Sequence, residues 1–342
     1  MIFSDLVVDA QTAPETYARE GVVCFRQLLP REEIDVIGKT FTDEVESVSA
    51  SGSGSGSTLA HNDHVPADDV LAKYPRFVHP HRHPETDAGR VAGRYLVDER
   101  LVKVAESLIG DAYGAQTMFY FKPPGARGQA MHQDNWCVLN AVPSPDSSPG
   151  QHSYSTRTAL TGRSHGARNA LVPCSRCTGT ASCPDDHFRF LKAHPETCLA
   201  AWVCIDDADE ENGGLMFVPG SHRNDVLCHG DSDPSISFSK NTVPIPEGLA
   251  RVQSELKAGD VVFFHGSMVH GSMPNRSTDR FRRSLILHYV PRASSQVAEW
   301  YLPLIDPRDA GETRIAAAPL GGPCGEAWTA DEGAYAAAAA AA

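Results

Sequence analysis

Apolar positions along the chain fall into two successive patterns. Near the N-terminus they recur at helical spacing. Residues 14–49 read as helical, from PETYAREG through VVCFRQLL into PREEIDVIGKTFTDEVESV, where Pro30 and the acidic residues after it open a helix with one apolar stripe. DERLVKVAESLIGD, residues 98–111, repeats the pattern and stops at Gly110. After this point the runs shorten and are punctuated by Gly, Pro and Asn: AYGAQTMFYFKPPG, GQAMHQDN, CLAAWVCIDDA, LMFVPGSHR, GDVVFFHGSMVHGS and FRRSLILHYV. Many short strands following helical elements predict a mainly β fold with flanking helices, an α+β chain whose core is a jelly roll or barrel.

Three stretches stand outside both patterns. SASGSGSGSTLA introduces a loop over about 49–66 that has few side chains to bury and is expected to be flexible. Residues 141–196, rich in Ser, Pro, Gly, His and Cys, keep no period of either kind and read as a long inserted, lid-like loop. From residue 316 the chain is Ala-rich and ends AYAAAAAAA, a tail with no function assigned. The remainder, residues 1–315, is expected to form one domain; at 342 residues and 41% hydrophobic content it can bury a proper core.

Charge narrows the partners. With 30 basic against 43 acidic residues, a formal charge of -13 and no basic run, the chain is a poor match for nucleic acid or an anionic membrane, which leaves a small molecule as the expected partner. The acidic N-terminus lacks a signal peptide's features and no apolar run reaches membrane-spanning length, so a cytoplasmic location is expected. Nine cysteines, an odd number scattered from Cys24 to Cys324, suggest reduced thiols rather than a disulfide framework. A local cluster departs from that picture. Cys174, Cys177, Cys183 and His187 form either a Cys3His structural zinc site pinning the inserted loop or a set of free thiols within it.

The candidate chemistry begins at MHQDNW, residues 131–136. On a strand, His132 and Asp134 share a face while Gln133 points away, so the two could grip one ion. A third ligand is available in FFHGSMVHGS, where His265 and His270 stand five apart and would have opposite parity on a regular strand, so that one of them faces the metal. Two histidines and a carboxylate on one face leave three positions open, the arrangement of non-haem Fe(II) oxygenases.

The blocks FYFKPPGARGQAMHQDN, AAWVCIDDADEENGGLMFVPGSHR and GDVVFFHGSMVHGSMPNRSTDRFRRSLILHYV, with YAREGVVCFRQLLPREEI before them, resemble consecutive segments of the phytanoyl-CoA dioxygenase (PhyH) family. The resemblance implies a double-stranded β-helix, a cupin-like jelly roll, and an oxygenase dependent on Fe(II), 2-oxoglutarate and O2. It assigns His132, Asp134 and His270 to the iron, making His265 structural, and places the 2-oxoglutarate arginine at Arg282, whose guanidinium fork can hold a carboxylate bidentately while Arg283 faces the other way. Trp202 falls on the family's pocket aromatic, though plain core is an equal reading. Gln116, Met118, Tyr120 and Lys122 share the strand face that reaches the pocket in relatives, so Gln116 and Tyr120 join the expected cofactor-binding residues. An acidic residue at Asp134 implies hydroxylation rather than halogenation, and Met118 stands where ectoine hydroxylases carry arginine, which argues against ectoine. The expected reaction is hydroxylation of an unactivated C–H bond in a natural-product or amino-acid-like molecule, with succinate and CO2 released. The same cofactors could instead drive desaturation, epimerisation or cyclisation, and a non-catalytic cupin-like or zinc-stabilised binding protein is the alternative of another class.

Overall fold

The computed structural model describes residues 1–50, 60–61, 68–135, 198–224, 227, 230–294 and 296–318. In chain order its first half holds α1 (Ala13–Glu20), β1 (Val22–Phe25), α2 (Arg31–Ala50), β2 (Ala60–His61), β3 (Arg76–Val78), α3 (Asp87–Leu96), α4 (Glu99–Ile109), β4 (Ala112–Tyr120) and β5 (Gln129–His132). Next come β6 (Leu199–Cys204), β7 (Leu215–Phe217), β8 (Gly230–Asp231), β9 (Asn241–Thr242), β10 (Val252–Gln253), β11 (Val261–His265) and β12 (His270–Ser272). The last strands are β13 (Ser284–Pro291), β14 (Gln296–Ala298), β15 (Leu304–Asp306), β16 (Gly311–Thr313) and β17 (Ala316–Ala318).

Two sheets face each other, as a jelly roll requires. The large one runs β1-β11-β6-β13-β4-β15-β16, with β3 and β2 added beside β4, and the small one runs β10-β7-β12-β5. Alternation along the central strands sorts side chains between two cores. Leu199, Ala201 and Val203 of β6, Phe263 of β11 and Leu285 and Leu287 of β13 pack outward against Ile34, Ile37 and Phe41 of α2 and against α3 and α4. Their neighbours Trp202, Val262, Phe264 and Ile286 point inward, meeting Leu215 and Phe217 of the small sheet. Burial on both faces explains why β6 and β13 read as near-continuous apolar runs.

The structure departs from the sequence reading in identifiable places. The helical stretch from 14 to 49 is interrupted: Gly21, at φ 75, ends α1, and Val22–Phe25 pairs with Phe264–Val261 of β11 as an edge strand. Its strand character comes from that distant partner, because four residues carry no period of their own. Helix α3 was not foreseen, since DAGRVAGRYL carries two glycines. Gly89 is required there: a Cβ would fall onto the His83 carbonyl, and its N–H donates to the Thr86 N-cap hydroxyl at 2.9 Å. GDVVFFHGSMVHGS forms not one strand but two, β11 in the large sheet and β12 in the small one, so strand parity cannot rank His265 against His270. Ala60–His61 pairs with β3 inside the segment expected to be a loop, and Ala316–Ala318 of the tail pairs with β14. The inserted loop's Cys174, Cys177, Cys183 and His187 lie outside the described residues. Among the described residues Cys24, Cys198 and Cys204 are buried, and no helix is long and apolar enough to cross a membrane.

Candidate metal centre

His132 is the last residue of β5 and His270 the first of β12, and the two are direct partners across the antiparallel ladder. Their rings approach to 4.1 Å between centroids. Each ring is oriented by its own backbone: Nδ1–H of His132 donates to the Ala130 carbonyl at 2.9 Å, and Nδ1–H of His270 donates to the Met268 carbonyl at 3.0 Å. This tautomer leaves both Nε2 lone pairs facing the same point, as a metal requires. Asp134 completes the group, with Oδ1 3.7 Å from His132 Nε2 and 3.6 Å from His270 Nε2. One ligand atom from each of the three residues lies within 4.8 Å of the others, a donor set that fits Fe(II).

The convergence has a different origin from the strand alternation expected. Asp134 lies beyond the end of β5, where the backbone has become helical, so same-face spacing does not place it. This segment is docked instead onto the β11–β12 connection: Asn135 N–H donates to Gly266 O at 2.8 Å, its amide to Ser267 Oγ at 2.6 Å, and the Gln133 amide to Ser267 O at 2.8 Å. Both halves of the ligand set therefore hang on one interlock, between residues 133–135 and the Gly266–Ser267 turn. His265, the rejected candidate, accepts from Ser267 N–H at Nδ1, 2.9 Å away, and packs against Tyr17 and His222, a structural role on the other strand.

Electrostatics prepares the donors. Burial, with a smaller contribution from His270, pushes His132 down to about 4, so it is neutral and able to ligate near pH 7. Burial alone would raise the Asp134 carboxyl, but His270, the hydrogen bond from His288 and the charge of His132 outweigh it and hold the group below the usual carboxylate range. Gln129 donates its amide to His132 Nε2 at 3.0 Å, a contact that a bound metal would displace.

Gln129 also lines a cleft shared with Tyr120, Lys122, Arg76 and Arg282, so its contact with His132 bridges the metal ligands to the expected arginine. Arg282 is 4% exposed, donates from Nε to Gly213 O at 3.3 Å and from Nη1 to Ser284 Oγ at 3.2 Å, and lies 5.5 Å from the centre of the Trp202 ring. No acidic side chain among the described residues forms an ion pair with it, and burial pushes its guanidinium down to about 10, which still leaves it charged at neutral pH. Arg283 does face away, pairing with Asp206 at 2.7 Å under α2. Tyr120 belongs to the cleft wall, whereas Gln116 donates to His79 Nε2 at 3.4 Å, away from the cleft lining. Lys122, which shares their strand face, is fully engaged, donating to Ser272 Oγ at 2.7 Å, Met273 O at 2.8 Å and Gly213 O at 3.2 Å; burial, then the charge of Arg282, pushes its ammonium well below the usual lysine value. Sequence reasoning missed His288, whose Nε2 lies 3.2 Å from Asp134 Oδ2. The signal was present, since His288 shares parity with Arg282, Ser284 and Ile286 on the inward face of the last central strand.

Residues 176–284 match the family model described as phytanoyl-CoA dioxygenase (PhyH). The match includes His270 and Arg282 and begins within the inserted segment, after His132 and Asp134. Phytanoyl-CoA dioxygenase 1 of Oryza sativa subsp. japonica is 31% identical over 117 residues, covering 34% of this chain and 40% of that protein. Phytanoyl-CoA dioxygenase of Arabidopsis thaliana is 32% identical over 110 residues, covering 31% and 38%. The chain thus spans about two fifths of the length of these curated relatives. Among solved structures, the epimerase SnoN in complex with Fe3+, alpha ketoglutarate and nogalamycin RO aligns with TM-score 0.53 at 18% identity over 90% of this chain and 94% of that one. The non-heme monooxygenase ThoJ aligns with TM-score 0.52 at 19% identity over 85% and 79%. These two likenesses bear on the fold, a cupin-like jelly roll, and the matched segment and the curated relatives show that this part of the chain is similar to the phytanoyl-CoA dioxygenase family.

Proposed function

We propose that this protein is an Fe(II)- and 2-oxoglutarate-dependent oxygenase that hydroxylates an unactivated C–H bond of a small molecule, releasing succinate and CO2, with residues 1–315 as the catalytic unit. The observation that carries the reading is a His132–Asp134–His270 cluster, bridged by Gln129 to a cleft that holds a buried arginine with no acidic partner among the described residues. A charge left in that state is a binding site for an anion. When bound, Fe(II) and 2-oxoglutarate supply the oxidising power for the C–H bond.

The chain's own residues do the rest. His132, Asp134 and His270 would hold one face of the ion and leave the opposite face for the co-substrate and oxygen. Arg282 would grip the distal carboxylate of 2-oxoglutarate through paired N–H donors, with Ser284 and the Gly213 carbonyl keeping the fork in place. Trp202, packed against the guanidinium, would exclude water from that pair, and Tyr120 would form the adjoining wall. A natural-product or amino-acid-like substrate fits the absence of a basic run that would cradle nucleotide phosphates.

The test is turnover. Aerobic incubation with Fe(II) and 2-oxoglutarate should release succinate from wild type and none from Asp134→Ala, and a small-molecule panel should yield a product one oxygen atom heavier. A product of unchanged mass but altered stereochemistry would replace hydroxylation with epimerisation. No succinate with any candidate from a folded, iron-loaded protein would refute the oxygenase reading.

A further inference from the structure

We propose that His288 is a positioning residue for the metal centre: it holds Oδ2 of Asp134 away from the metal position, so that the carboxylate ligates through Oδ1 alone and a coordination position stays open. The inference rests on the reading of His132, Asp134 and His270 as metal ligands. The two carboxylate oxygens have different surroundings. Oδ1 faces both ligating nitrogens, at 3.7 and 3.6 Å, whereas Oδ2 turns to the opposite sheet and accepts from His288 Nε2 at 3.2 Å.

Something must fix this orientation, because backbone and rotamer do not. Asp134 stands at the first helical residue after β5, where the backbone does not fix the carboxyl plane, and the terminal torsion of an aspartate is broad, so that plane could rotate to offer both oxygens to the ion. A carboxylate bound through both oxygens would take two of the positions that an open site needs. His288 is suited to prevent it. The residue is 4% exposed and stands in mid-strand on β13, paired with Gln116 of β4 on one side and Ala200 of β6 on the other, so its ring is carried by a strand hydrogen-bonded on both edges. The ligands belong to β5, β12 and the helical start after β5, all on the small sheet's side, which makes the His288–Asp134 hydrogen bond a strut between the sheets. The other ring nitrogen, Nδ1, is buried and has no hydrogen-bond partner among the described residues, so the ring's one polar commitment there is to Asp134. Hydrogen bonds of this kind to a ligating carboxylate typically govern metal affinity by about 10- to 100-fold.

The experiment uses the full chain, stripped of metal and titrated anaerobically with Co(II), whose visible ligand-field bands report affinity and coordination together. His288→Gln keeps an N–H donor at similar reach, and His288→Leu removes it. The Leu variant should bind Co(II) about 10- to 100-fold more weakly with an altered band, and the Gln variant should keep wild-type affinity and spectrum. If the Leu variant does not fold, His288→Asn, too short to reach Asp134, should show the same weakening. Melting temperatures of the metal-free variants separate a structural role, which would lower stability and leave the Co(II) affinity and spectrum of the folded protein unchanged. Wild-type affinity and bands in the Leu or Asn variant would overturn the proposal while leaving the metal centre standing. Failure of wild type itself to bind Co(II) would overturn both.

Discussion

Replacing Arg282 by methionine should separate the co-substrate reading from a structural one, because the two predict opposite effects. In the free protein the guanidinium is buried and, among the described residues, donates only to Gly213 O and Ser284 Oγ, both at more than 3 Å. Hydrogen bonds to a charged group are worth about 1.5–3 kcal/mol each. Their loss is offset by releasing a buried charge whose desolvation costs several kcal/mol. Gly213 O also keeps Lys122 as a donor. Arg282→Met should therefore leave metal-loaded, co-substrate-free stability within about 1 kcal/mol of wild type, the small difference expected when these terms cancel. Binding of 2-oxoglutarate should suffer heavily. Two charge-assisted hydrogen bonds at about 1.5–3 kcal/mol each amount to about 3–6 kcal/mol, or a Kd raised by at least about a hundredfold. Urea denaturation of Co(II)-loaded protein with and without 2-oxoglutarate reads this directly: at about 100 times Kd the ligand stabilises wild type by about 2.7 kcal/mol, and a hundredfold weaker site retains about 0.4 kcal/mol. Equal 2-oxoglutarate stabilisation in variant and wild type, or a loss of several kcal/mol before any is added, would refute the reasoning.

Three further outcomes follow from the same geometry. His270→Ala should abolish Co(II) binding, whereas His265→Ala should keep it and cost about 1–3 kcal/mol by stranding the Ser267 N–H; isothermal titration and urea melts of the pair decide which histidine ligates. Gly266→Ala would place a Cβ against the Asn135 side chain and 2.9 Å from Cys198 O, so it should destabilise by about 1–3 kcal/mol and weaken metal binding by shifting the segment that carries Asp134, as overpacked sites do. Acid should destabilise the metal-free protein, because burial pushes His81 down to about 3 and His132 to about 4 while the unfolded chain protonates both near 6.5. The unfolded state then binds more protons below pH 6.5, so stability falls with falling pH by about 1.4 kcal/mol per unit for each histidine until the folded values are reached. His81→Gln should remove one share of that slope in urea midpoints measured between neutral pH and the acid limb.

The large elements and the chemistry were legible for different reasons. Fully buried strands such as Leu199–Cys204 and Ser284–Pro291 announce themselves by composition, and α4 by its period with Asp98 and Gly110 at its ends. Short edge strands did not, because Val22–Phe25 is a strand only through its pairing with β11. His132, Asp134, His270 and Arg282 were singled out as candidates by residue type and family resemblance. The alternation argued for His132 and Asp134 was the wrong mechanism, and what brings Asp134 in is Asn135 and Gln133 locking onto the Gly266–Ser267 turn more than a hundred residues away. His288 escaped notice because strand parity says which way a side chain points and not what the opposing sheet presents to it. Gln116 illustrates the same limit from the other side, sharing the pocket-facing parity of Tyr120 yet spending its amide on His79.

The most direct test of the central claim is anaerobic addition of Fe(II) and 2-oxoglutarate to metal-stripped protein, followed by its visible spectrum. The account predicts the weak charge-transfer absorption of a 2-oxoglutarate chelate in wild type, its absence in Asp134→Ala, and its recovery in Arg282→Met only at about a hundredfold or more higher 2-oxoglutarate. A folded, iron-loaded wild type that develops no such band at saturating 2-oxoglutarate would contradict it.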